Sequence, residues 1–226
     1  MSSSTVKSIK PADLICMNQF IDHEPIEIDL VYADAAHPEN IFGAALYRDG
    51  AQFWLHRELA DIVLNLARLA QSERGAKLVL KDGLRTIEAQ AAMQETDIVK
   101  ANPQWCEPGP NRLLSPPGTG GHPRGMAVDV NLIGEDGQEW DMGTAFDHLT
   151  TDPAVNPAAR SYQVFPANVL ANRAYLETLF LRAADIAGQT ILPLPSEWWD
   201  FRFPHDYSSQ FAAISDVDLP EDMRMT

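Results

Sequence analysis

Between Asn102 and Gly121 the chain places Pro103, Pro108, Pro110, Pro116 and Pro117 among Gly109, Gly118, Gly120 and Gly121. Proline fixes φ and removes a backbone donor, so neither a helix interior nor a central strand can run through this segment. The segment is a long loop, and it delivers the chain to His122. Regular structure is confined to the stretches on either side, and both carry readable patterns.

Upstream, from Phe53 to Gln71, Leu55, Leu59, Ile62, Leu66 and Leu69 recur at the spacing of one apolar helix face. Lys77-Leu-Val-Leu-Lys81 is short and apolar and leads into Asp82-Gly83, which predicts a strand and turn with Arg85 just beyond. Downstream, Val128, Val130 and Leu132 alternate with Asp129 and Asn131, the pattern of a strand with one buried face. Asp129 then points away from the core valines. Asn172 is placed to cap a helix lined by Leu176, Leu179, Phe180, Ala183 and Ile186, with Gly188 to end it. Thr190 to Leu194 reads as a strand running into Pro195-Ser-Glu-Trp-Trp-Asp-Phe201. With no regular βαβ repeat, these elements predict an α+β fold: a small, mostly antiparallel sheet flanked by helices. One domain over residues 1–226 is expected, with frayed polar ends at about 1–7 and 218–226.

A formal charge of -15, from 32 acidic against 17 basic residues, argues against nucleic acid or an anionic membrane as partner, since both would repel it. Cys16 and Cys106 lack the spacing of a structural zinc site and read as ordinary thiols. No apolar run is long enough for a signal core or a spanning helix. A cytoplasmic protein is the expectation, or a periplasmic one if a leader has been removed.

Several side chains have the chemistry of a reactive centre. His122 and Asp129 flank a turn at Gly125 and could converge on one metal ion, since zinc accepts imidazole nitrogen and carboxylate oxygen. Taken alone, such a pair is more often a surface histidine and a strand-edge aspartate. Glu197-Trp-Trp-Asp200 sets two carboxylates beside two tryptophans, and burial against the rings would raise a carboxyl pKa toward the range of a general base. Arg85 could stabilise charge on a substrate carbonyl or carboxylate, or simply be a solvated arginine near a helix start.

Gly121-His122-Pro-Arg-Gly-Met-Ala-Val-Asp129, Asp82-Gly-Leu-Arg85 and Glu197-Trp-Trp together resemble the D-alanyl-D-alanine dipeptidase family of zinc peptidases, with its SxHxxGxAxD and EWWH motifs. Leu30-Val-Tyr-Ala-Asp34, Asn40-Ile-Phe-Gly43, Asp141-Met-Gly-Thr-Ala-Phe-Asp147 and Asn172-Arg173 extend the resemblance, in the family's order, over roughly Leu30 to Phe203. It implies His122 and Asp129 as metal ligands, Glu197 as catalytic base, Arg85 as transition-state stabiliser and Asp147 as the partner of a substrate's free amino group. It also implies zinc as cofactor and a small D-dipeptide as substrate. A D,D-carboxypeptidase acting on peptidoglycan stem peptides and a catalytically silent D-peptide-binding relative are the competing functions.

The chain departs from the family pattern twice. Gly120 stands where the motif has serine, and Asp200 stands where it has its third histidine ligand. A His122, Asp129 and Asp200 set remains a plausible metal site, one that tolerates Mn or Co better than a histidine-rich one. His205, beyond Pro204, is the alternative source of an imidazole.

Overall fold

The alternating stretch around Asp129 forms the middle of a five-stranded sheet. The computed structural model describes residues 6–109, 112–150, 152 and 155–226. Pro110 of the long loop and the first five residues of the expected N-terminal fray lie outside them. The strands of the sheet are β2 (Ile26–Ile28), β4 (Lys77–Asp82), β5 (Ala127–Ile133), β6 (Leu192–Pro193) and β7 (Asp200–Arg202), in the order β2-β4-β5-β7-β6. Only β2 and β4 run parallel, so the sheet is mostly antiparallel as expected. A separate ribbon pairs β1 (Leu14–Cys16) with β3 (Trp54–His56).

The helices are α1 (Arg57–Arg74), α2 (Ile87–Gln94), α3 (Asp97–Ala101), α4 (Ala167–Ile186) and α5 (His205–Ser208). The first starts later than its periodicity suggested, because Trp54, Leu55 and His56 are drawn into pairing with β1 and His56 N–H donates to Gly125 O at 2.8 Å. The fourth starts before Asn172, at Ala167 after Pro166, so Asn172 lies inside it rather than capping it. Its side chain instead donates to Asp141 O at 2.9 Å. Among the described residues no helix is long and apolar enough to cross a membrane.

Two faces follow from the strand period. Val128 pairs with Phe201, and Phe201 stacks on Phe180 of α4 with ring centroids 4.1 Å apart. That face is the core, where α1 packs against both α4 and β4. Asp129, Asp200 and Arg202 necessarily point to the other face.

The C-terminal fray expected from composition does not occur. Leu219, Met223 and Met225 are buried, and Asp216 accepts from the backbone N–H of Met225 and of Thr226. Apolar residues dispersed in an acidic tail are enough to pin it when one buried carboxylate satisfies its amides. Phe180→Ala should cost about 3 to 5 kcal/mol by removing the stack that fixes β7 on α4. Denaturant unfolding measures this, and a loss under about 1 kcal/mol would mean α4 is held elsewhere.

Candidate metal centre

Sheet register gathers the acids. Asp82 at the end of β4 is opposite Asp129 on β5, and Asp129 is opposite Asp200 on β7. A register shift between Leu80 and Asp82 brings Asp82 into this row. Like charges directly across strands repel, and all three side chains are nearly removed from water. Each therefore needs a counter-charge.

Asp82 has Arg85, whose Nε and Nη2 donate to Oδ2 at 3.0 and 2.6 Å, and it also accepts from Tyr47. Arg85 Nη1 faces Met93 Sδ at 3.3 Å, so the arginine meets the cavity already committed to Asp82. Asp200 has Arg202, whose Nε donates to Oδ1 at 2.7 Å while Nη2 donates to Oδ2. The guanidinium fork holds Asp200 well below the usual carboxylate range, although burial alone would raise it. Asp129 has His122, with Nε2 3.5 Å from Oδ1, and a long contact from Arg85 Nη2, 4.0 Å from Oδ2, while Oδ1 is buried without a hydrogen bond. Burial and the neighbouring acids push Asp129 up to about 6.

His122 is presented by a turn spanning His122–Arg124 and closed by Gly125 in the left-handed region, at φ 61°. A Cβ at 125 would stand 2.8 Å from His56 N, so only glycine fits. His122 Nδ1 is 2.8 Å from Gly83 O, which makes it the N–H donor and turns the Nε2 lone pair toward Asp129 and Asp200. Asp200 Oδ2 is 3.2 Å from that nitrogen. Without a cation, Asp129 overrides the burial that would lower His122 and raises it to about 10.

Donors around a zinc ion at about 2.0 to 2.2 Å lie roughly 3.3 to 3.6 Å apart. His122 Nε2 is 3.5 Å from Asp129 Oδ1 and 3.2 Å from Asp200 Oδ2, each close to this, and the bare Asp129 oxygen asks for a cation. Asp82, His122 and Asp129 also each offer a donor atom within 4.8 Å of the others, but Asp82 lies on the Nδ1 side and serves Arg85. His122 and Asp129 fit a divalent ion, with two differences from expectation at the third donor: Asp200 is not in the group whose donor atoms all lie within 4.8 Å of one another, and it shares its oxygens with Arg202. Asp29, Glu39 and Glu139 form another acidic group, but Lys81 Nζ fills it at 3.2, 2.5 and 2.7 Å. His205 is exposed on α5, away from the cavity lining, so it does not supply the missing imidazole.

A cavity of about 300 Å³ opens over this row and is also lined by Glu197, Asp147, Tyr32, Arg112 and Arg202. Glu197 keeps part of its surface open to it, and burial and then the charge of Asp200 push it up to about 8. The flanking tryptophans are core residues, as the motif suggested. Asp147 accepts from Tyr32 OH and sits at about 7 because it is buried. It holds a left-handed backbone, φ 54°, on a loop pinned by Asn172 and by Arg173 Nε to Met142 O at 2.7 Å. The proline-rich loop is held by side chains, Gln90 and Gln94 on the Ser115 carbonyl and Arg124 on the Gly118 and Gly120 carbonyls.

The family model described as D-ala-D-ala dipeptidase matches residues 13–216. The chain belongs to this family. It is a peptidase, and it is similar to the D-alanyl-D-alanine dipeptidase of Escherichia coli strain K12, 30% identical over 184 residues covering 79% of each chain. It is also similar to the D-alanyl-D-alanine dipeptidase of Synechocystis, 28% identical over 131 residues, which is 56% of this chain and 49% of that one. An L-Ala D-Glu endopeptidase of Serratia marcescens aligns at 16% identity and TM-score 0.38 over 68% of this chain and 84% of its own, too slight a likeness to add to this.

Tyr32 and Arg202 line the cavity, and Asp82, with Tyr47 on it, holds Arg85; none of the four was given a role from sequence. Arg202 was the findable one, since a residue two beyond Asp200 on a strand shares its face.

Glu197, Asp147 and His122 all have folded pKa values above their ordinary ones. The metal-free folded state therefore binds more protons than the unfolded chain, and its stability falls as pH rises. For Glu197 the window is 4.5 to about 8, for Asp147 3.8 to about 7, and for His122 6.5 to about 10. Chelator-treated protein should melt lower at pH 8 than at pH 5.5, and Glu197→Gln should flatten that slope. An unchanged slope in the variant would contradict the assignment.

Proposed function

We propose that the chain hydrolyses D-alanyl-D-alanine or a related short D-dipeptide in a reaction that depends on a divalent ion, zinc or, with this oxygen-rich donor set, Mn or Co. The observation that carries the reading is the buried Asp129 oxygen without a partner, 3.5 Å from His122 Nε2 in a cavity rich in acids. His122 and Asp129 would hold the ion, with Asp200 as third donor shared with Arg202. The chemistry supplied by such an ion, when bound, is Lewis acidity toward a peptide carbonyl and a lowered pKa for water.

The chain's own residues do the rest. Glu197, pushed up to about 8, takes a proton from the attacking water and passes it to the leaving amine. Arg85, braced by Asp82, stabilises charge developing on the carbonyl oxygen. Asp147, steadied by Tyr32, receives the ammonium group of the substrate, whose charge holds the carboxyl ionised. A cavity of about 300 Å³ is at the small end for ligand sites, which favours a free dipeptide over a D,D-carboxypeptidase's stem peptides.

The fork of Arg202 on Asp200 favours one competing reading, a relative that binds D-peptides without turnover. Metal content with a hydrolysis assay separates the two. Purified protein loaded with zinc, manganese or cobalt should release D-alanine from D-alanyl-D-alanine, and chelation should abolish this. Glu197→Ala should keep its metal and lose at least about a hundredfold in kcat. Turnover that survives chelation would contradict the metallopeptidase reading, and bound metal without turnover in any loaded form would favour the silent relative.

A further inference from the structure

Two charged groups of the cavity wall, Arg112 and Arg202, take no part in the proposed reaction. Arg202 lines the wall with 20% of its side chain exposed, and it is immobilised by Asp200 through Nε and Nη2. The third nitrogen, Nη1, has no protein hydrogen-bond partner among the described residues. It is the closest atom, at 3.9 Å, to the point where a Cβ at Gly120 would stand. Gly120 has φ 92°, a backbone that L side chains rarely adopt, so the space is left to the guanidinium. The two departures from the family motif, glycine at 120 and aspartate at 200, therefore meet at one guanidinium, on different nitrogens.

The charges around the cavity are sorted. Asp147 has Tyr32, Asp129, Arg85 and Asp82 as its electrostatic surroundings, whereas Arg202 has Asp200, Glu197 and Asp129. Asp129 belongs to both sets. A free dipeptide carries an ammonium group at one end and a carboxylate at the other, and a planar guanidinium with spare donors is suited to the second. Of the other lining arginines, Arg85 is committed to Asp82, and Arg112 is tied through Nε to the Glu107 carbonyl at 3.3 Å rather than held by a buried carboxylate, so Arg202 is the one both anchored and left with a spare nitrogen.

We infer that Arg202 is a specificity-determining residue that receives the carboxylate terminus of the substrate through Nη1, which restricts the site to peptides with a free carboxyl end. The inference rests on the dipeptidase reading. Asp200 orients the guanidinium by occupying its other edge, so donors are presented with little rotamer freedom left to lose.

Calorimetric titration of the zinc-loaded Glu197→Gln variant with D-alanyl-D-alanine and with its C-terminal amide tests this without turnover. The free acid should bind at least about tenfold more tightly than the amide, the scale of a charge-assisted hydrogen bond. Adding Arg202→Gln should erase that preference by weakening the acid, with the amide changed less than about threefold. Arg202→Lys should restore part of it through charge alone. A preference that survives Arg202→Gln, or one that disappears instead in Arg112→Gln, would overturn the assignment. Equal loss for acid and amide would make Arg202 a purely structural partner of Asp200 and would also overturn it. Failure of both ligands to bind the parent variant would refute the dipeptidase reading, and this inference with it.

Discussion

Asp82, Asp129 and Asp200 lie side by side across three neighbouring strands, and the low exposure of each makes their mutual repulsion expensive. The polar architecture around them can be read as a set of responses. Arg85 neutralises Asp82, Arg202 neutralises Asp200, and the central member is left with a histidine, the far edge of Arg85 at 4.0 Å and one bare oxygen. Glu197 and Asp147 add to the same field and are pushed toward neutrality. An enclosed site with more negative than positive groups is poised for cations, and a divalent ion and a substrate ammonium are two that fit.

Positioning is done from the periphery. The stack of Phe201 on Phe180 fixes β7, and with it Asp200 and Arg202, against α4. The same helix reaches through Asn172 and Arg173 to the loop that carries Asp147. Gly125 closes the His122 turn where no side chain would fit, and the carbonyl of Gly83 sets the imidazole's tautomer. The loop entering the turn has its Ser115, Gly118, Thr119 and Gly120 carbonyls held by the side chains of Gln90, Gln94 and Arg124.

Much of this was legible in the sequence because period and motif are local properties. The alternation around Asp129 predicted both its strand and its face, and the proline-rich loop could be nothing else. The row of aspartates was not legible, since it depends on a register shift between Leu80 and Asp82 that no local pattern announces. The C-terminus was misread because three apolar residues among acids carry no period, yet long-range burial decides their fate. Asp200 was expected as a ligand with free oxygens. Its fork to Arg202 gives it a counter-charge that the sequence reading did not assign.

The cation site proposed at the bare oxygen of Asp129 and Nε2 of His122 is tested most directly by anomalous diffraction from crystals grown with zinc. One peak is expected within about 2.0 to 2.2 Å of both atoms, with Asp200 Oδ2 completing the protein donors. A peak at Asp29, Glu39 and Glu139 instead, or none beside Asp129, would contradict it.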